Sequence, residues 1–170
     1  MKASPGLPAS LVYIGLASVP VTLLHELGHA LVARARLKTE VRISVGSAVK
    51  VAEIRLGEVT ASLHAFGRPD RIGGSTTFTA NCATATDIAW IAIAGPITSL
   101  AGLLWAIPLY DMVPQGGFVR GILWAIVLGS VFAVIINLIP FEVEERRGQI
   151  PKRTDGKLLV SALRVIRDTR

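Results

Sequence analysis

Cysteine is nearly missing. Cys82 stands alone, which excludes an internal disulfide framework and leaves no paired spacing for a zinc ribbon. It is read as a small buried side chain. Charge is also scarce: Asp, Glu, Lys and Arg make up 18% of the 170 residues, against 51% hydrophobic ones. A soluble domain of this length carries closer to about 25% charge. Acids are rarer than bases, so the formal net charge is +6 and the isoelectric point about 10.1. No basic stripe interleaved with aromatics accompanies that charge, so nucleic acid is not expected as a partner. Internal repeats and low-complexity tracts are lacking. The first residues show no basic region leading to a small-residue cleavage site, so a removed signal peptide is not expected.

Long uncharged sequence is what the chain has in quantity. Residues 3–24, 88–110 and 121–141 contain no Asp, Glu, Lys or Arg, and each run is close to the ~20 residues a helix needs to cross a bilayer. Mean hydropathy is +0.54. The expected fold is therefore mainly α and integral to the membrane, a single unit over 1–170. Its spans fall at about 11–37, 86–110 and 119–141. Ser10 is a candidate cap for the first helix, and Pro20 a candidate kink. Arg34, Arg36 and Lys38 close that helix, where cations suit both its dipole and lipid headgroups.

Between the first two spans the character changes. Val41-Arg42-Ile43-Ser44-Val45 alternates with period two, and Val49-Lys50-Val51 and Ile54-Arg55-Leu56 continue the pattern between glycines. This predicts a small β region over about 40–80, with Thr76–Thr79 as its last strand. An edge there is suited to pairing with an unwound peptide, or to capping the helices. Within the second span Ala94-Gly95-Pro96 is expected to break the helix. Ser99, Ala101 and Gly102 are small enough to let it approach the first span closely. The tail over 142–170 begins strongly charged and ends in leucines, valines and arginines at helical spacing. That predicts an interfacial amphipathic helix rather than a fourth crossing.

One stretch carries chemistry. His25-Glu26-Leu27-Gly28-His29 places two histidines at i and i+4, one above the other on a helix face. Two imidazoles so placed can share a zinc ion, with Glu26 beside them to take a proton from water. Ionisable groups in an apolar helix are expensive and usually functional, so the triplet is read as a metal site rather than as surface polarity. His64 and Glu53 lie in strand-like sequence, where a surface or hydrogen-bonded role is commoner than ligation.

His25-Glu26-Leu27-Gly28-His29, Ala94-Gly95-Pro96, Asn137-Leu138-Ile139-Pro140 and Asp155-Gly156 occur in the order found in the site-2 protease family of intramembrane zinc metalloproteases. The chain resembles that family over roughly residues 8–160. The resemblance implies His25 and His29 as zinc ligands, Asp155 as the third, Glu26 as general base, and Asn137 as a residue that positions substrate or supports the oxyanion. Residues 141–154 separate Asp155 from the Asn137 segment by more than the family pattern has. Glu142, Glu144 and Glu145 therefore stand as alternative third ligands.

Basic residues set an expected orientation. Eight Lys or Arg lie between Arg34 and Arg71 and eight more from Arg146 to Arg170, against Lys2 and Arg120 on the opposite side. The positive-inside bias then places the β region and the tail in the cytoplasm and the N-terminus outside. The expected activity is hydrolysis of a peptide bond in or next to a transmembrane segment. The expected partners are a membrane protein or transmembrane peptide substrate and the lipid bilayer. The alternatives are a non-proteolytic metal-binding or scaffold protein of the same fold, and a bilayer-surface adaptor.

Overall fold

The computed structural model describes residues 7–65, 73–79, 83–143 and 152–169. Cys82, Glu144 and Glu145 lie outside them. Helix α1 (Leu7–Leu37) is followed by strands β1 (Val41–Val45), β2 (Lys50–Leu56), β3 (Val59–His64) and β4 (Gly74–Phe78). Helices α2 (Ala85–Met112) and α3 (Phe118–Leu138), a two-stranded ladder of β5 (Glu142–Val143) and β6 (Lys152–Arg153), and helix α4 (Asp155–Asp168) complete the chain. Three of the helices, α1, α2 and α3, are long and apolar enough to cross a membrane.

Helix α1 starts at Leu7, so Ser10 lies within it rather than capping it, and Pro20 is accommodated without ending it. It stops where Lys38 takes a left-handed conformation at φ 51°, with its N–H bonded to Arg34 O at 3.1 Å. The end is pinned twice. Arg34 pairs with Glu58, and Arg36 Nε donates to Asp87 Oδ1 at 2.6 Å. Asp87 also completes a capping box with Thr84 at the start of α2, so one carboxylate fixes the mouth between the two helices.

The expected break at Ala94-Gly95-Pro96 does not occur. Helix α2 runs through both Pro96 and Pro108, because neighbouring helices support the backbone where a proline withholds its donor. Its small face does meet α1. An added Cβ at Gly102 would lie 2.5 Å from Leu24 Cδ2, whereas Ala101 points away. Beyond α2, Arg120 Nη1 donates to Tyr110 O at 2.9 Å and Val113 O at 2.7 Å, closing carbonyls that a helix end leaves open. Helix α3 ends at Leu138, short of the expected 141, since Pro140 drives Ile139 to an extended backbone.

The sheet has the order β2-β3-β1-β4, with β1 parallel to β3 and antiparallel to β4. Alternation in β1 sends Val41, Ile43 and Val45 into a core with Ala30 and Ala33 of α1 and Ile91 of α2. Arg42 and Ser44 face the other way, as period two requires. The sheet thus leans on the second half of α1, and β4, at its edge, lies against the helix beside Glu26. Helix α4 packs on α2 and α3, burying Gly156 and Ala162 while Leu163 and Val165 remain exposed.

Candidate metal centre

Helix α1 holds His25 and His29 one turn apart, 5% and 7% exposed, with ring centroids 4.8 Å apart. Asp155 reaches them from the first turn of α4. His25 Nε2 lies 3.0 Å from Asp155 Oδ2, His29 Nε2 lies 3.3 Å from Asp155 Oδ1, and the two Nε2 atoms are 3.2 Å apart. Zinc bonds of about 2.0–2.2 Å to nitrogen and oxygen set the edges of a tetrahedron at roughly 3.3–3.6 Å. Two of the observed separations, 3.0 and 3.2 Å, lie below that range and the third, 3.3 Å, at its lower edge. The three groups therefore stand close enough together to share one metal ion.

The outer partners of the imidazoles explain their aim. His29 Nδ1 donates to Ile91 O at 2.6 Å, which leaves its Nε2 lone pair free to bind. His25 Nδ1 meets Ser99 Oγ at 2.9 Å, a hydroxyl only 1% exposed. With its Nδ1–H donated there, His25 presents the same tautomer. Two lone pairs and a carboxylate then converge on one point, an arrangement that a cation satisfies. Space is kept open as well: a Cβ at Gly95 would fall against His29 Nε2 and within 2.8 Å of His25 Nε2. The residues present fit a divalent metal on both counts.

Asp155 is delivered by local structure. Thr154 caps α4 by accepting from Lys157 N at 3.3 Å, and its hydroxyl donates to Ile139 O at 2.7 Å. Gly156 follows Asp155 because the start of α4 abuts the end of α3. Any Cβ at that position would run into the Leu138 carbonyl. The β5–β6 ladder pairs Glu142 with Arg153. The extra length of 141–154 therefore returns the chain almost to where it left, and Asp155 is not carried away from the histidines. Burial pushes the Asp155 carboxyl upward, but hydrogen bonds and charge from His25 and His29 outweigh it and hold the group below the ordinary carboxylate range.

The alternative ligands among the described residues are not at the centre. Glu142 lies near Arg153 and Lys157, at 3.3 and 4.0 Å. Glu53 is exposed and bonded to Lys50 and Ser62, with the Lys50 contact foremost in holding its carboxyl low. His64 Nδ1 lies 3.1 Å from Ala48 O, in the sheet. Comparison with protein-family models and with curated proteins returned no match.

Glu26 is buried beside the two histidines, 7% exposed. Its side chain, both imidazoles and Asp155 line one cavity of about 770 Å³. The cavity continues between α1 and α3, past Thr22 and Gly129, and is bordered by Gly74 and Phe78 of β4. Asn137 lines it too, with its Nδ2 donating to Ala133 O at 2.8 Å rather than to the ligand group. Sequence reasoning missed Ser99, the Ile91 carbonyl and Thr76 as contributors. Only the first left a readable signal, as a polar side chain in an uncharged helix.

Proposed function

We propose that this chain is a membrane-embedded zinc metalloprotease of the site-2 protease type, hydrolysing a peptide bond in or next to a transmembrane segment of a substrate protein. The observation that carries the proposal is the spacing of His25, His29 and Asp155 at 3.0–3.3 Å beside the buried Glu26. The group lies among helices long and apolar enough to cross a bilayer. Two imidazoles and one carboxylate with a fourth direction open to a cavity are the donor set of catalytic zinc. When bound, zinc supplies Lewis-acid polarisation of a carbonyl and makes water a better nucleophile near neutral pH.

The chain's own residues then divide the work. Glu26 takes a proton from the attacking water and returns it to the leaving amine nitrogen, so that water's O–H adds across the broken C–N bond. The cavity between α1 and α3 admits an extended stretch of substrate, and the edge strand β4 offers backbone partners to it. Asn137, on the same cavity wall, orients the substrate backbone with its amide. A helical substrate hides its carbonyls, so the segment to be cut is locally unwound. The positive-inside bias puts the sheet and α4 on the cytoplasmic side, with the N-terminus outside.

Glu26→Gln tests this reading. Zinc should remain, since the three ligands are untouched, while cleavage of a co-expressed membrane substrate with a helix-destabilised segment should fall by about 10²–10⁴-fold. Undiminished cleavage by a folded, zinc-loaded Glu26→Gln protein would place the chemistry elsewhere. Zinc binding without cleavage of any membrane substrate by the wild type would favour a non-proteolytic metal-binding scaffold.

A further inference from the structure

Strand β4 is built against Glu26 at two points. At Gly74 the approach is so close that a Cβ would lie 2.6 Å from Glu26 Cγ, 2.8 Å from Glu26 Oε1 and 2.7 Å from Thr22 Cγ2. Two residues on, the half-buried Thr76 hydroxyl lies 2.7 Å from Glu26 Oε2 and 3.1 Å from Glu26 O. The strand that makes these contacts is itself held firmly, since Thr76 pairs with Ile43, a fully buried residue of the sheet core.

We propose that Thr76 is the positioning residue of the general base: its hydroxyl holds Glu26 Oε2 and leaves Oε1 as the oxygen that carries the proton. The proposal rests on the reading of Glu26 as that base. A hydroxyl has one proton to give, and the shorter contact, to a carboxylate, is the stronger of the two on offer. Oε2 accepts that bond whether Glu26 is ionised or carries a proton on Oε1. The carboxyl group is therefore held in one orientation through both halves of the reaction, while water gives up its proton and while the amine receives it. Glutamate has three side-chain torsions, and an unrestrained carboxylate next to a cation would turn to ligate it. Thr76 and the close wall at Gly74 oppose that collapse. Preorganisation of this kind acts on turnover more than on substrate binding.

Thr76→Val keeps the shape and removes the hydroxyl, whereas Thr76→Ser keeps the hydroxyl. With a membrane substrate that the wild type cuts, Thr76→Val should lower kcat by about 10- to 100-fold, the equivalent of a hydrogen bond to a charged group. KM should stay within about twofold and zinc content should be unchanged. Thr76→Ser should recover most of the rate, an outcome that general damage to the fold would not give. The contact is also read without turnover. The infrared carboxylate band that disappears in Glu26→Gln should shift in Thr76→Val and keep its position in Thr76→Ser. An unmoved band in Thr76→Val overturns the proposal, as does wild-type kcat in Thr76→Val or equal loss in the valine and serine variants. If Glu26→Gln cuts as well as the wild type, the reading of Glu26 as base falls instead, and the infrared band still decides the contact.

Discussion

Gly95→Ala is a one-atom test of the metal centre. The added Cβ would sit 2.5 Å from His29 Cε1 and 2.8 Å from His25 Nε2, well inside ordinary van der Waals separation. Neither ring can yield without cost, because His29 Nδ1 is tied to Ile91 O at 2.6 Å and His25 Nδ1 to Ser99 Oγ at 2.9 Å. Overpacking of this sort costs about 1–3 kcal/mol. A metal tolerates only about 0.2 Å of error in its bond lengths, so the strain falls on binding. Zinc affinity should drop by roughly 5- to 150-fold, the range to which that energy converts. The assay is competition with a chromophoric chelator on detergent-solubilised protein. Gly102→Ala is the control, since the one close contact of its Cβ is the flexible tip of Leu24 at 2.5 Å, on the same helix face and away from the ligands. A Gly95→Ala protein that folds and holds zinc as tightly as the wild type would refute the geometry.

Other consequences follow from the same contacts. Ser99→Ala removes the outer partner of His25 and should weaken zinc binding by about 10–100-fold, as loss of such partners does elsewhere; the chelator titration reads it. Gly156→Ala drives a methyl group into the Leu138 carbonyl, so α4 must shift and carry Asp155 with it. Zinc should be lost and protease susceptibility near residue 155 should rise. For orientation, in a background with Cys82 replaced by serine, a cysteine at Ser4 should react with an impermeant reagent on intact cells. One at Thr169 should not, and the reverse pattern would overturn the charge argument.

Local features were legible in the sequence because their periods are local. The i, i+4 histidines announced a helix face that could hold a metal ion, and the alternation in Val41–Val45 matched β1 residue for residue. The three uncharged runs located the long helices to within a few residues at most ends. Contacts between distant elements were not legible. Ser99 meets His25 across 74 residues and Thr76 meets Glu26 across 50, and no spacing rule connects them. Asp155 was reachable only through resemblance, since nothing in its own surroundings marks it as a ligand. The expectation of a helix break at Ala94-Gly95-Pro96 was wrong. The motif reads as a helix break, yet the helix continues, and Gly95 is there because the two imidazoles leave no room for a side chain. Pro96 has no N–H for the Ala92 carbonyl one turn back, and the neighbouring Ile91 carbonyl accepts from His29.

The central claim is that Asp155 completes a zinc site with His25 and His29, and the metal content of detergent-purified protein tests it most directly. The wild type should carry about one zinc per chain, as a catalytic site with three protein ligands does. Asp155→Ala should lose that zinc on dialysis against a weak chelator, whereas His64→Ala should retain it. Zinc held at wild-type stoichiometry by a folded Asp155→Ala protein would contradict the account.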